Sequence, residues 1–274
     1  MMTGQLAFLG PAGTFSEQAA RVYAPQAELI AASSIAAVTQ AVILGEADEA
    51  IVPIENSLVG AVNETLDLLI HSLALKIRAE IVLPIVHCVI GAPGTRFQDV
   101  RVVYSKPEAL GQCQRFLQEM VPEAETRPSL STAGAVGQAL EEAHAVAIAP
   151  EPAAALHGAV VLRAGVQDDD RNKTRFVVLG QDDADPTGDD KTSLVLATLD
   201  VPGALVKVLL PFAEAAIDLT KIESRPAKEE LGTYVFLVDC AGHRADPVVA
   251  GVLSEVKGQT TLLKLLGSYP RFDG

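Results

Sequence analysis

The chain has 274 residues, 49% of them hydrophobic, and a formal net charge of −14. That length exceeds one ordinary core, and the apolar content is enough to fill two or three lobes. The negative charge repels phosphate backbones and anionic membranes. No Lys/Arg-rich run opposes it and no apolar run approaches the ~20 residues of a membrane helix, so nucleic acid and membrane are both excluded as expected partners.

In chain order, Gln5 to Leu9 reads as a short strand, and Thr14-Phe15-Ser16-Glu17 has capping-box spacing ahead of a helix from Gln18 to Tyr23. Ile35 to Leu44 reads as a helix, Glu49 to Ile54 as a strand and Asn63 to Leu69 as a helix, an alternation that implies parallel βαβ units. After Glu80 the pattern restarts, with strands Ile85 to Ile90 and Val100 to Tyr104, helices Leu110 to Met120 and Thr132 to Ala143, and a strand Ala145 to Ala149. Two similar α/β lobes are expected. The acidic stretch 182–190 has almost nothing to bury and reads as an exposed linker. Beyond it, strand Thr192 to Leu199, helix Gly203 to Ala215, strands Asp218 to Glu223 and Tyr234 to Cys240, helix Pro247 to Val256 and strand Thr260 to Leu266 give the βαββαβ order of a ferredoxin-like module.

Met1-Met2-Thr3-Gly4-Gln5 shows no basic region followed by an apolar one, so the expected location is cytoplasmic. Cys88, Cys113 and Cys240 lack metal or redox spacing and read as buried reduced thiols. None of His71, His87, His144, His157 and His243 lies in a metal-binding cluster, and Asp168-Asp169-Asp170 reads as a solvated loop, so no metal is expected.

Three segments carry chemistry. Gly10-Pro11-Ala12-Gly13-Thr14 lets backbone approach a ligand at a helix start, where free N–H groups suit an anion; its plainer reading is a capped turn. Ser105-Lys106-Pro107-Glu108 repeats that layout, with Ser105 as the cap and Lys106 read most simply as a surface lysine. Thr174-Arg175-Phe176 sets a hydroxyl beside a guanidinium at the mouth of a strand, an arrangement suited to an anionic substrate.

Together with Pro53-Ile54-Glu55-Asn56-Ser57, Gln112-Cys113 and Glu223-Ser224-Arg225-Pro226, these segments resemble the prephenate dehydratase family carrying a C-terminal ACT regulatory domain. The family pattern has Ser-His-Pro-Gln where this chain has Ser105-Lys106-Pro107-Glu108, and Asn where it has Asp218. The resemblance implies a two-lobed, periplasmic-binding-protein-like (type 2) catalytic region plus the ferredoxin-like ACT module. Its expected boundaries are 1–181 for the catalytic domain (lobe 1, 1–80 and 170–181; lobe 2, 81–169), 182–190 for the linker and 191–274 for the ACT domain.

The implied reaction is the decarboxylating dehydration of prephenate to phenylpyruvate, without cofactor. Thr174 is then the catalytic donor to the departing hydroxyl, and Glu80 a candidate proton source whose plainer reading is a hinge salt bridge. Gly13, Thr14, Asn56, Ser57, Ser105, Gln112, Arg175 and Phe176 are the expected substrate contacts. Phenylalanine is the expected effector, at Gly203, Ala204, Leu205, Asp218, Leu219, Thr220, Glu223, Ser224, Arg225 and Pro226; the alternative for Glu223 and Arg225 is that they only brace the module. A homodimer or homotetramer is expected. Two readings stay open beside it: a solute-binding pair of lobes without catalysis, and an amino-acid sensor with inactive lobes. Phenylpyruvate formation from prephenate separates the three.

Overall fold

Parallel pairing organises the first part of the chain. In the computed structural model, which describes residues 4–71, 74–227 and 234–272, β1 (Gln5–Leu9) lies between β2 (Glu28–Ala32) and β3 (Glu49–Asn56) and runs parallel to both. Helices α1 (Phe15–Tyr23) and α2 (Ile35–Ile43) form the crossovers. Met1-Met2-Thr3, part of the terminal stretch read above, lie outside the described residues.

The chain continues through β4 (Gly60–Ala61), which folds back on β3, then α3 (Asn63–His71), β5 (Lys76–Pro84), β6 (Cys88–Gly91) and β7 (Val102–Ser105). Next come α4 (Pro107–Gly111), α5 (Gln114–Met120), β8 (Glu125–Pro128), α6 (Thr132–Glu141), β9 (Ala145–Ala149), α7 (Pro152–His157), β10 (Val160–Ala164) and β11 (Lys173–Gly180). Two compact units result: 1–62 with 81–176, and 63–80 with 177–274. The boundary thus falls inside β5 and β11.

Within the first unit one sheet has the order β2-β1-β3-β11-β5, with the last two strands represented by their 173–176 and 81–84 ends. The other has the order β10-β6-β9-β7-β8. Its central strand, β9, is buried along all five residues, as a strand covered on both faces must be. Ala145, Ala147 and Ala149 face α6 and α7, where Ala133, Ala135, Ala139 and Ala153 allow close approach. Val146 and Ile148 face the other way, against Leu110, Cys113, Phe116 and Leu117 of the α4–α5 region.

The second unit contains the expected module: β12 (Asp190–Ala197), α8 (Ala204–Glu214), β13 (Leu219–Pro226), β14 (Tyr234–Ala241), α9 (Pro247–Gln259) and β15 (Leu262–Pro270). Its sheet is antiparallel throughout, in the order β13-β14-β12-β15, with α8 and α9 packed on one face through Val208, Phe212, Val249, Val252 and Val256. Helix α3 belongs to this unit. Lys264 Nζ donates to the C-terminal carbonyls Leu69 O (2.7 Å) and Ile70 O (3.2 Å), where a cation suits the helix dipole. Lys76 Nζ donates to Leu265 O (2.6 Å).

Several expectations change. The strand expected over Ile85 to Ile90 begins only at Cys88, and β5 precedes it; two strands separated by three irregular residues read in sequence as one apolar run. The single helix expected from Leu110 to Met120 is broken at Gln112-Cys113, and Asp168 caps the second piece by accepting from the N–H groups of Gln114 (2.9 Å) and Arg115 (3.0 Å). The stretch 182–190 is not uniformly solvated. Asp190 is buried and accepts from Thr187 and Gly188, Asp183 pairs with Arg244, and Ala184 O lies 3.1 Å from His243 Nε2. No helix among the described residues is long and apolar enough to cross a membrane.

Two glycines of the second unit test this packing in opposite directions. A Cβ on Gly267 would collide with the backbone carbonyl of Ile77, whereas one on Gly251, inside α9, meets open space. Thermal unfolding is expected to show Gly267→Ala destabilised by roughly 2 kcal/mol and Gly251→Ala stabilised by about 0.5–1 kcal/mol. A neutral Gly267→Ala would contradict the close approach.

Candidate active site

The polarity of the site starts from two backbone groups. Asn56 ends β3, and its Oδ1 accepts from the N–H of Leu58 and of Val59, both at 3.0 Å, a local turn that asparagine is suited to close. With the oxygen so fixed, Nδ2 must donate, and it reaches Thr174 Oγ1 (2.9 Å), Asn172 Oδ1 (2.8 Å) and Lys173 O (3.2 Å). Asn172 Oδ1 being an acceptor, its Nδ2 donates to Gln112 Oε1 at 3.0 Å. That same oxygen lies 2.9 Å from His87 Nε2, which therefore carries the ring proton.

Two donors are left over. Thr174, 9% exposed, already accepts from Asn56, and its own hydrogen goes to no protein group among the described residues. Gln112, half-buried, has both oxygen contacts filled, and its Nε2 has no partner among the described residues. The neighbours of Thr174 in this network are amides, not a base, so its hydroxyl is arranged to donate a hydrogen bond rather than to attack as a nucleophile.

His87 is 2% exposed, its ring sits edge-on to Phe15 (centroids 5.5 Å apart, 82° between planes), and its buried Nδ1 has no hydrogen-bond partner among the described residues. Burial pushes the imidazole below its ordinary value, and the Gln112 contact opposes this in part.

The expected contacts divide. Gly13 is in the left-handed region at φ 81°, and a Cβ there would press on Ala153 and Ala133, so the turn needs glycine. Thr14 is the N-cap of α1, but its hydroxyl reaches back to Pro11 O (3.0 Å) and Leu9 O (3.3 Å), and Glu17 accepts from Gly13 N (2.6 Å). The chain's own carboxylate thus occupies the N–H expected to meet a substrate anion. Ser57 stitches its loop to β11, donating N–H to Lys173 O (2.9 Å) and accepting from Lys173 N (3.0 Å).

Two expected contacts, Ser105 and Phe176, are corrected, and Arg175 is set apart from Thr174. Ser105 is fully buried at the end of β7 and gives its proton to Ile148 O (2.6 Å), so it neither caps α4 nor faces a ligand; Lys106 takes the N-cap position and is exposed. Phe176 is a core residue at 2% exposure. Arg175 lies on the opposite face of β11 from Thr174, because side chains alternate along a strand, and stands 3.9 Å from Glu55. Glu80, expected as a proton source, is in the second unit with both carboxylate oxygens on Lys191 Nζ (2.8 and 2.9 Å), the arrangement of a salt bridge.

Elsewhere, Asp169 pairs with Arg171 and is held down to about 2 by it. Asp170 accepts from Gln167 (2.9 Å). All three cysteines are free and buried, and burial pushes the Cys113 and Cys240 thiols up to about 12. His87 and Asn172 were missed in the sequence. Asn172 was legible as the residue two before Thr174, on the same strand-like alternation; His87 was a lone polar residue in an apolar run.

In the second unit, Gly203 (φ 81°), Ala204 and Leu205 open α8 and border a cleft of about 990 Å³, together with Thr198, Tyr234 and Phe236. The segment Asp218 to Pro226 does not line it. Leu219 to Pro226 form the edge strand, exposing Thr220, Ser224 and Pro226 while half-burying Leu219, Glu223 and Arg225; Asp218 is exposed just before it. Arg225 bonds Asn63 Oδ1 (2.7 Å) and Asp67 Oδ1 (3.1 Å) of α3 and pairs with Glu223 (3.4 Å), a bracing geometry.

An α/β region with two sheets, an amide-held hydroxyl on a strand of the first, and a ferredoxin-like C-terminal module define a small-molecule enzyme with an appended ligand-sensing domain. Residues 6–184 match the family model for prephenate dehydratase and 192–258 that for the ACT domain. The chain belongs to the prephenate dehydratase family, enzymes that convert prephenate to phenylpyruvate, and carries the family's ACT domain. It is 41% identical to a bifunctional chorismate mutase/prephenate dehydratase of Aquifex aeolicus over 97% of this chain and 74% of that one. Among solved structures, a prephenate dehydratase of Arthrobacter aurescens in complex with L-Phe is 35% identical, with a TM-score of 0.89 over 97% of this chain and 90% of that one. GqqA, described as a quorum-quenching acylase, is 31% identical with a TM-score of 0.90 over 98% of both chains.

The depressed His87 has a consequence for stability. Its contribution is complete above the ordinary imidazole value of 6.5 and is lost as pH falls through that value toward the lower folded one, because the unfolded chain takes up the proton first. Urea midpoints measured from about pH 8 to about pH 5 are expected to fall in wild type more than in His87→Gln. Parallel curves would show that His87 is not held neutral.

Proposed function

We propose that Thr174 is the catalytic donor of this prephenate dehydratase and that Asn56, Asn172 and Gln112 set its surroundings. In the reaction the C–C bond to the ring carboxylate breaks, its electron pair enters the ring, and the ring C–O bond breaks as the hydroxyl departs with a proton as water. Aromatisation drives this, so what the protein must supply is a donor at the departing oxygen. The observation that carries the assignment is that Thr174 Oγ1 accepts from Asn56, leaving its hydrogen free to donate. A threonine is too weak an acid to give up the proton outright, so a water completes the transfer while the hydroxyl stabilises developing charge.

Gln112, rather than Arg175, supplies the second donor on the face of Thr174, directed to a substrate oxygen. Gly13 and Thr14 shape the lobe 1 wall and Ser57 holds the Asn56 loop to β11. The catalytic domain spans 1–181, the linker 182–190 and the ACT domain 191–274, boundaries supported by the family-model spans. The three buried free thiols support a reducing, cytoplasmic home.

Phenylalanine binds the ACT domain, a reading supported by the L-Phe complex of the Arthrobacter relative, and the cleft bordered by Gly203, Ala204 and Leu205 is the place we assign to it. The working form is a homodimer or homotetramer, and coupling to catalysis is ~1–3 kcal/mol. Calorimetric titration should show heat of phenylalanine binding; none would remove the effector role.

For the catalytic assignment, Thr174→Val should lower kcat by ~10²–10³ while Thr174→Ser keeps much of the rate, measured as phenylpyruvate formed from prephenate. A Val variant within about threefold of wild type would reduce the hydroxyl to a structural role.

A further inference from the structure

His87 does not reach Thr174, yet the hydrogen-bond polarity of the site ends on it. Gln112 Oε1 receives two N–H groups, from Asn172 Nδ2 (3.0 Å) and His87 Nε2 (2.9 Å). Turning that amide over would set its NH2 against two donors, replacing two hydrogen bonds by two repulsive contacts. With the histidine removed, only Asn172 would resist the turn, and Asn172 is itself held through Asn56 by a single amide contact.

The ring has no freedom to do otherwise. It is 2% exposed, edge-on to Phe15, and its backbone N–H is fixed by Gln167 Oε1 at 3.0 Å. An apolar side chain of similar size would fill the same space without leaving a buried nitrogen unpaired, a cost of ~1–3 kcal/mol. Nδ1 is left in that condition, with no hydrogen-bond partner among the described residues, while Nε2 is committed to Gln112. Packing alone therefore does not account for a histidine here.

We propose that His87 is a positioning residue for the dehydratase reaction: as its Nε2–H tautomer it locks the Gln112 amide so that Nε2 of Gln112 faces the substrate as a donor. The same lock steadies Asn172 and Asn56, and through them the Thr174 hydroxyl. The inference rests on the reading of Gln112 and Thr174 as the groups that meet substrate.

A double-mutant cycle on the full chain tests it, with kcat/KM on prephenate as the readout and urea unfolding as the check on folding. His87→Met is expected to lower kcat/KM ~10- to 100-fold, the range for removing a group that orients a reacting one. His87→Gln, whose amide N–H can reach the same oxygen, should restore most of that loss. In a Gln112→Ala background, His87→Met should change kcat/KM by less than about twofold, since there is no amide left to orient. If His87→Met does not fold, His87→Asn, too short to reach Gln112, replaces it with the same expected loss. Equal losses from the His87 substitution in both backgrounds, or none in either, would overturn the inference alone. A Gln112→Ala variant with wild-type kcat/KM would overturn the site reading beneath it as well.

Discussion

The N–H groups of Leu58 and Val59 decide which way the Asn56 amide points, and the rest of the site inherits that choice. Once Oδ1 is committed to the backbone, Nδ2 must donate, Asn172 must accept and pass a donor on, Gln112 must accept, and His87 must carry its proton on Nε2. Each assignment forces the next because an amide has one accepting and one donating end. The outcome at both edges of the network is an unspent hydrogen, on Thr174 and on Gln112. A part-buried network of this kind holds its groups in place in advance, so little reorganisation would be needed as charge develops on a leaving oxygen.

Strand alternation then sorts which residues belong to the site. Thr174 and Phe176 share one face of β11, but burial separates their roles: Thr174 lies where Asn56 can reach it, and Phe176 is in the core. Arg175 follows Thr174 in sequence and yet joins Glu55 on the other side. In sequence the pair looked like one donor-plus-cation unit; in three dimensions the strand divides them. Ser105 shows the same limit differently, since its hydroxyl could be recognised from the sequence but its commitment to the Ile148 carbonyl could not.

Much of the architecture was legible because hydrophobic period and turn chemistry are local. The βαββαβ order after residue 190 and the parallel β1–β3 pairing followed from such signals, as did the place of Thr174 at the start of a strand. What escaped depended on partners distant in sequence. Asn56 meets Thr174 across 118 residues and Gln112 meets Asn172 across 60, so no window of the chain displays the network. The acidic stretch 182–190 misled in part for the same reason: its composition suggests solvation, while Asp183 is held by the distant Arg244 and Asp190 is buried on Thr187 and Gly188 of the stretch itself.

Neutron diffraction from deuterated crystals at neutral pH would test the central claim, the forced polarity of this network, most directly. It should place deuterons on Asn56 Nδ2 toward Thr174 Oγ1, on Asn172 Nδ2 toward Gln112 Oε1, and on His87 Nε2 with Nδ1 bare, leaving the Thr174 deuteron directed away from Asn56. A Thr174 deuteron pointing at Asn56, or a His87 ring protonated at Nδ1 alone, would contradict it.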